Sequence, residues 1–219
     1  MGKSSKQIIM NPVYTKRFLI ILYAAGLVGL SLPNYRSTFQ SLCPYTLWIT
    51  GFICLYFYPN KNLKTYLGFS LLFLSGYLIE LAGIKSGKIF GEYAYGQTLG
   101  LQIANVPLVI GMNWLILLMG TNAVVEEWGF GGIFGKSALG AGLMTLLDLF
   151  IEPVAIHLDF WQWKLNQVPV QNFAAWWLVA FVFHFIYQQM ELNIKSSLYR
   201  LVALLQFMFF IGLLVLTHN

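Results

Sequence analysis

Residues 137–157 read SALGAGLMTLLDLFIEPVAIH, a run in which Asp148 and Glu152 are the only carboxylates. The segment is long enough to cross a hydrocarbon core about 30 Å thick, which requires about 20 mostly apolar residues. An ionisable side chain near the bilayer centre costs about 3 kcal/mol even on the most lenient scale, so such residues are functional candidates by default. This stretch therefore predicts a membrane-spanning helix that contains part of a functional site.

The whole chain has the composition of an integral membrane protein. Of its 219 residues, 58% are hydrophobic and 10% are charged, and the mean hydropathy is +0.68. Soluble domains contain about 25% charged residues. The net charge of +5 comes from residues that flank apolar segments, which suggests a negative membrane surface rather than nucleic acid. We expect one integral membrane domain over residues 1–219, in the cell membrane.

The apolar segments predict an all-α polytopic bundle of about seven transmembrane helices. Segments this long and continuous are typical of helices rather than of barrel strands. The predicted spans are 18–33, 42–58, 65–84, 105–125, 137–157, 171–190 and 198–217. No small-x-small cleavage site follows the first of them, so we interpret it as a span rather than a signal peptide.

The distribution of basic residues predicts a cytoplasmic N-terminus. In that orientation nine lysines and arginines, Lys3 and Lys6 among them, fall in cytoplasmic segments and four fall outside. The end of the third span, the start of the fourth, the end of the fifth and the start of the sixth then face one side. The connection over residues 85–104 faces that side too. It is too apolar for a solvated linker, so we expect it to lie at the interface or to dip back into the protein.

Three carboxylates are the candidate catalytic residues. Asp148 and Glu152 are four residues apart, so they share one helical face, and Asp148 lies about 18 Å along its span from Lys136. Pro153 is expected to kink that helix or end it early. Two close carboxyls in a low dielectric do not both ionise comfortably, so one of them is available as a proton donor. Glu80 ends the third span and either joins this site or caps the helix beside nearby lysines.

The candidate substrate-binding residues are aromatic and amide side chains on the same side of the bundle. They are Tyr93, Tyr95, Asn105, Trp161, Trp163 and Asn172. The aromatic rings are typical of an interfacial belt and are equally suited to line a site for an apolar or cationic species. The asparagines begin the fourth and sixth predicted spans, where helix capping is the alternative to binding. The histidines are scattered and no cofactor motif is present in the sequence, so we expect no metal and no cofactor.

Four blocks of sequence resemble the membrane carotenoid-biosynthesis family, which includes the carotenoid 1,2-hydratases such as γ-carotene 1′-hydratase and bisanhydrobacterioruberin hydratase. The blocks are GYLIELAGIKSGKIFGEYAYG at 76–96, LGLQIANVPLVIGMNW at 99–114, LLDLFIEPVA at 146–155 and DFWQWKLNQVPVQNFAAWW at 159–177. They define a family-like core over about residues 65–190. Ser86 stands where the family more often has Thr, and Glu152 stands where it more often has Asp, which keeps the carboxyl on a longer side chain.

The resemblance implies that water is added to the terminal double bond of an acyclic carotenoid end. This chemistry needs a proton donor, a shielded tertiary carbocation and one water molecule, and it needs neither a metal nor a redox cofactor. In this interpretation Asp148 is the general acid, Glu152 tunes its proton affinity, and Glu80 orients the water and takes its proton. The aromatic rings wall the cation site and the two asparagines position polar groups.

The implied partners are a carotenoid dissolved in the membrane, the lipid bilayer and other enzymes of the carotenoid pathway, but not nucleic acid.

Three other functions stay open. A carotenoid end-group cyclase shares the protonation step but closes a ring without adding mass. A proton-coupled carrier also uses intramembrane carboxylates, although carriers usually show two repeated halves, which are not evident here. A carotenoid-binding structural protein would retain pigment without converting it.

Overall fold

The computed structural model describes residues 10–217, so the basic residues Lys3 and Lys6 lie outside the described part of the chain. Seven helices make up most of that part. They are α1 Pro12–Ser31, α2 Pro33–Phe57, α3 Leu63–Ser86, α4 Val109–Trp128, α5 Ile133–His157, α6 Val170–Gln189 and α7 Ser197–Thr217. Six of the described helices are long and apolar enough to cross a membrane, and α2 is the exception because its N-terminal half is more polar. The prediction of an all-α polytopic membrane bundle is confirmed.

The helices begin and end where local sequence favours it. The side chain of Asn62 caps α3 by accepting a hydrogen bond from the backbone N–H of Thr65 at 2.9 Å. Gly87 and Gly129 end α3 and α4 with φ values of 62° and 70°, a left-handed conformation that glycine adopts readily. Pro169 immediately precedes the first residue of α6. Gly129 and Pro169 both fall between predicted spans, so these helix boundaries agree with the predicted division of the chain.

Pro153 does not end α5, which continues to His157. The proline removes one backbone donor, but Val154 and Ala155 are fully buried beyond it. Packing of these residues, together with the close contact between α5 and α6, stabilises the last turn of the helix. Of the two effects expected of Pro153, a kink or an early end of the helix, the early end does not occur, and α5 ends at the predicted residue 157.

Helix α4 lies at the centre of the bundle and is buried along almost its whole length. It contacts α2, α3, α5 and α7. It begins at Val109 rather than at the predicted residue 105. Asn105 instead forms a tight turn with Ala104, with φ values of 65° and 51°, and its side chain is exposed. The prediction that Asn105 begins this helix at the site was therefore wrong.

Two short antiparallel sheets cover one end of the bundle, where the sequence predicted connections between spans and no strands. The strands are β1 Tyr93–Tyr95, β2 Gln102–Ile103, β3 Val106–Pro107 and β4 Trp161–Trp163. Strand β1 pairs with β4, and β2 pairs with β3. Phe90 and Leu99 in the same connection are 1% and 3% exposed. The connection over residues 85–104 thus packs back into the protein, which was one of the two predicted arrangements.

The end of α3, the start of α4, the end of α5 and the start of α6 meet at this covered end, as the sequence predicted. Hydrogen bonds from Trp114 to Glu80 and from Asn172 to Asp148 join these elements directly. We call this end of the bundle the site end.

Candidate functional site

A small cavity at the site end is lined by carboxylate, aromatic and amide side chains. Its volume is about 30 Å³, which is enough for one water molecule. The lining residues are Glu80, Phe90, Tyr93, Tyr95, Ile110, Asn113, Trp114, Ile151, Glu152, Trp161, Trp163, Asn172 and Trp176. Ligand pockets usually measure about 300 Å³ or more, so in this conformation the wall closes tightly. A substrate end group enters only if some of the side chains move apart.

Glu80 lies inside this cavity with both carboxylate oxygens bonded to protein donors. Its Oε2 accepts hydrogen bonds from the hydroxyls of Tyr93 at 2.5 Å and Tyr95 at 2.9 Å. Its Oε1 accepts one from Nε1 of Trp114 at 3.0 Å. The side chain is 3% exposed, so it is not a helix cap paired with a lysine at the membrane surface.

The two tyrosines are fixed as hydrogen-bond donors by their surroundings. Burial, followed by the charge of Glu80, raises the pKa of the Tyr93 hydroxyl, and the same two causes raise the pKa of Tyr95. Both hydroxyls therefore stay protonated at neutral pH. They present two O–H groups to one oxygen of Glu80, which favours a localised negative charge there.

Glu152 is the second carboxylate of the cavity wall. Its Oε2 accepts hydrogen bonds from Nε1 of Trp161 at 3.0 Å and from Nε1 of Trp163 at 2.8 Å. Its Oε1 accepts one from Nδ2 of Asn172 at 3.1 Å. The tryptophans thus contribute N–H donors as well as rings, a role that an interfacial belt would not require.

Asp148 lies one turn below Glu152 on α5 and is fully buried. Its Oδ2 accepts a hydrogen bond from Nδ2 of Asn172 at 2.9 Å, so this one amide nitrogen bridges the two carboxylates. The other oxygen, Oδ1, has no hydrogen-bond partner among residues 10–217. Asp148 does not itself line the cavity, in contrast to Glu80 and Glu152.

The pairing of β1 with β4 places four aromatic rings on one face. Tyr93 lies opposite Trp163 and Tyr95 lies opposite Trp161. Residues at alternate positions of a strand point to the same side, so all four rings face the cavity. Ring centroids are 5.1 Å apart in the Tyr93–Trp163 pair and 5.9 Å apart in the Tyr95–Trp161 pair.

Two further tryptophans belong to the site although the sequence analysis did not select them. The rings of Trp114 and Trp176 stack at 4.3 Å with an angle of 18° between their planes. Both lie within helices, where a tryptophan is easily interpreted as one more apolar residue. The signal that could have found Trp114 is its indole N–H, which needs an acceptor when it is buried in a membrane and here donates to Glu80.

Gly76 allows α3 to approach α4 at this point. A Cβ atom at Gly76 would lie 2.7 Å from Cβ of Trp114, too close for any side chain without movement of the tryptophan. Gly76 lies one turn before Glu80 on α3, so the close approach brings the donor of Trp114 to its acceptor.

Substitution of Gly76 by alanine is expected to destabilise the protein by about 1–3 kcal/mol, because the added methyl overpacks the contact with Trp114. The matched control is Gly142→Ala on α5, where an added Cβ meets nothing within 4 Å. That change is expected to be neutral or stabilising by up to about 1 kcal/mol. Thermal unfolding midpoints in one detergent compare the two variants. Equal midpoints would contradict the packing argument.

The sequence of the site region matches a known family. Residues 43–219, which include every residue of the cavity wall, match the family described as carotenoid biosynthesis protein. The chain belongs to this carotenoid biosynthesis family. The resemblance stated from the four sequence blocks is thereby confirmed.

The chain is similar in sequence to a bisanhydrobacterioruberin hydratase from Haloarcula japonica. The two are 31% identical over 134 residues, which is 55% of this chain and 44% of the relative. The match thus spans less than half of the relative's length. No solved structure shows significant similarity to this chain.

Proposed function

We propose that this member of the carotenoid biosynthesis family is a carotenoid hydratase that adds water to the terminal double bond of an acyclic end group. The observation that carries the proposal is the small cavity in which Glu80 and Glu152 face aromatic rings, with Asp148 behind Glu152. Family membership and the hydratase activity in the name of the relative support carotenoid hydration as the chemistry.

The proton comes from the pair formed by Asp148 and Glu152. Two carboxyls that share one buried amide donor favour a state with a single proton between them. Glu152 lines the cavity and Asp148 does not, so we propose Glu152 as the group that meets the substrate. This changes the assignment expected from the sequence, in which Asp148 was the acid. Asp148 becomes the buried partner that shares the proton of Glu152.

The first chemical step is addition of that proton to the less substituted carbon of the terminal double bond. The electron pair of the double bond forms the new C–H bond and leaves a positive charge on the tertiary carbon. The faces of Tyr93, Tyr95, Trp161 and Trp163 stabilise this charge by cation–π attraction, which reaches about 2 kcal/mol per contact where water is excluded. The carboxylates of Glu80 and of Glu152, which has given up its proton, stabilise the positive charge of this cation further.

The second step is attack of water on the cation. The water oxygen forms the C–O bond, and one water proton passes to a carboxylate, for which we propose Glu80. Two tyrosine hydroxyls and the indole of Trp114 hold this carboxylate in place. Release of the proton from Glu80 and uptake of one by the Asp148–Glu152 pair complete the cycle.

Polar side chains in the cavity wall favour hydration over cyclisation. A cyclase has to exclude water from the cation, whereas the carboxylates of Glu80 and Glu152 and the amide of Asn172 in this wall are groups that can bind and orient a water molecule. We therefore place the cyclase second.

The substrate and setting follow from the same proposal. The substrate is a carotenoid dissolved in the bilayer, and the protein acts as a single integral membrane domain of the cell membrane with a cytoplasmic N-terminus. Other enzymes of the carotenoid pathway supply the acyclic end. No metal or redox cofactor enters the steps proposed here.

The test is expression in a host engineered to make lycopene or γ-carotene, followed by mass analysis of the extracted pigments. We expect a product heavier by one water for each hydrated end. An isomer of unchanged mass would favour cyclisation. Unchanged pigment, with the protein verified in the membrane, would contradict the proposal for these carotenoids. Proton-driven uptake into vesicles would favour a carrier.

A further inference from the structure

A second cavity lies between α1, α2 and α7 in the described part of the chain, and we call it the α1/α2/α7 cavity. Its volume is about 190 Å³ and its wall is mostly apolar, with Leu22, Phe39, Leu47 and Phe209 among the lining residues. An apolar cavity of about 150 Å³ holds a benzene molecule, so this one suits the end of an apolar molecule rather than a whole carotenoid.

The cavity reaches the outer surface of the bundle. Leu42, Tyr45 and Ile49 line it from α2 and are 45%, 63% and 38% exposed on that surface. Leu99 and Phe160 line it from the connections at the site end. Phe160 directly precedes Trp161, whose ring faces the carboxylate cavity. A molecule dissolved in the bilayer can therefore reach the cavity beside the candidate active site.

One buried side chain of the wall has an unused hydrogen-bond donor. Gln206 on α7 is 2% exposed, and its Nε2 has no partner within residues 10–217. Two other hydroxyls of the wall are already paired: that of Tyr23 with Thr50 and that of Thr46 with the carbonyl of Leu42. A buried donor without a partner is costly, so an amide in this position is suited to a ligand with an acceptor atom.

The depth of Gln206 limits which acceptor can reach it. The residue is nine positions from the start of α7, which places it about 14 Å along a helix that crosses a hydrocarbon core about 30 Å thick. It therefore lies near the bilayer midplane. The ester groups of phospholipids lie in the interfacial region, far from this depth. The acceptor has to be an oxygen on an otherwise apolar molecule that enters the hydrocarbon core.

We propose that the α1/α2/α7 cavity binds an isoprenoid end that bears one oxygen, with Gln206 donating a hydrogen bond to that oxygen. The apolar wall accommodates the branched hydrocarbon. The choice of a tertiary alcohol as the natural end rests on the proposed hydratase function, since that is the group which hydration forms. The binding of an oxygenated apolar end depends only on the cavity and Gln206.

The test measures binding to the purified full chain in detergent without any turnover. The probes are tetrahydrolinalool, a branched tertiary alcohol, and its parent alkane 2,6-dimethyloctane, with concentrations expressed as mole fractions in the micelle. Ligand-dependent shifts of the unfolding midpoint give both affinities. We expect the alcohol to bind about tenfold more tightly than the alkane, the effect of one hydrogen bond to a buried donor.

Gln206→Leu and Gln206→Met are expected to reduce this preference to about one, with alkane binding retained. The matched control is Thr46→Val, which removes a hydroxyl from the same wall that is already paired, and it should keep the preference. Retained alkane binding shows that each variant is folded.

Equal affinity for alcohol and alkane in the unmodified protein would overturn the proposal, and so would a preference that survives both Gln206 substitutions. A phospholipid that stays bound in native mass spectrometry and is not displaced by the alcohol would also overturn it. The binding result is independent of catalysis. If the protein binds the alcohol more tightly than the alkane but makes no hydrated carotenoid, only the proposed hydratase function is contradicted. If it hydrates carotenoids but binds the alcohol and the alkane equally, only the proposed binding at the α1/α2/α7 cavity is contradicted.

Discussion

Replacement of Glu152 by glutamine is expected to lower the rate of carotenoid hydration by at least about a hundredfold, the usual range for loss of a general acid. The amide keeps the size of the side chain but cannot deliver a proton. It also presents an N–H group where Trp161, Trp163 and Asn172 now donate. Asp148→Asn is expected to act in the same direction because it removes the partner that shares the proton.

The conservative control is Glu152→Asp, which keeps the carboxyl on a side chain shorter by one methylene. We expect it to retain measurable hydration. Product formed per amount of protein in the membrane fraction compares the variants, with thermal unfolding midpoints as the check on folding. Hydration at the normal rate by Glu152→Gln would exclude Glu152 as the proton donor.

Replacement of Glu80 by glutamine is expected to lower hydration by about a hundredfold or more for a different reason. The variant still forms the cation, but no carboxylate takes the proton of the attacking water. The cation then returns to an alkene by losing a proton. In deuterated water, recovered substrate should therefore gain deuterium with Glu80→Gln and should not gain it with Glu152→Gln.

Tyr95→Phe is the matched control for Glu80, because it removes one of the two hydroxyls that bond Oε2 and leaves the carboxylate. We expect about a tenfold loss, the effect of about 1.4 kcal/mol in the transition state. Recovered substrate without deuterium in the Glu80→Gln variant, together with lost hydration, would assign Glu80 to protonation rather than to the water step.

The sequence predicted the parts of the site that depend on helix periodicity and on the free-energy cost of placing an ionisable side chain in the bilayer. Asp148 and Glu152 share a face because they are four residues apart, and their presence in an apolar segment marked them as candidates. The grouping of four helix ends on one side followed from the alternation of spans. These features depend on local spacing and on the bilayer, which a single chain displays directly.

The long-range strand pairing that brings the four candidate rings together was not predicted. Strands β1 and β4 are separated by more than 60 residues, and their pairing turns four rings toward one cavity. The alternation in Tyr93–Ala94–Tyr95 and Trp161–Gln162–Trp163 was a period-two signal for strands, yet three residues are too short to separate it from an interfacial aromatic belt.

Asn105 shows why the start of a helix is difficult to predict from sequence. An asparagine before an apolar run is a common helix cap, but it also tolerates the left-handed conformation of a tight turn. The chain uses the second option and starts α4 four residues later. Asn172, at the corresponding place in α6, bridges the two carboxylates instead.

The most direct test of the account is the origin of the product oxygen. The purified protein in a bilayer nanodisc would be given an acyclic carotenoid in water enriched in oxygen-18, and the product would be examined by mass spectrometry. The account predicts one labelled oxygen for each hydrated end, with no added metal or redox cofactor. Conversion without label, or conversion to an isomer of unchanged mass, would contradict it.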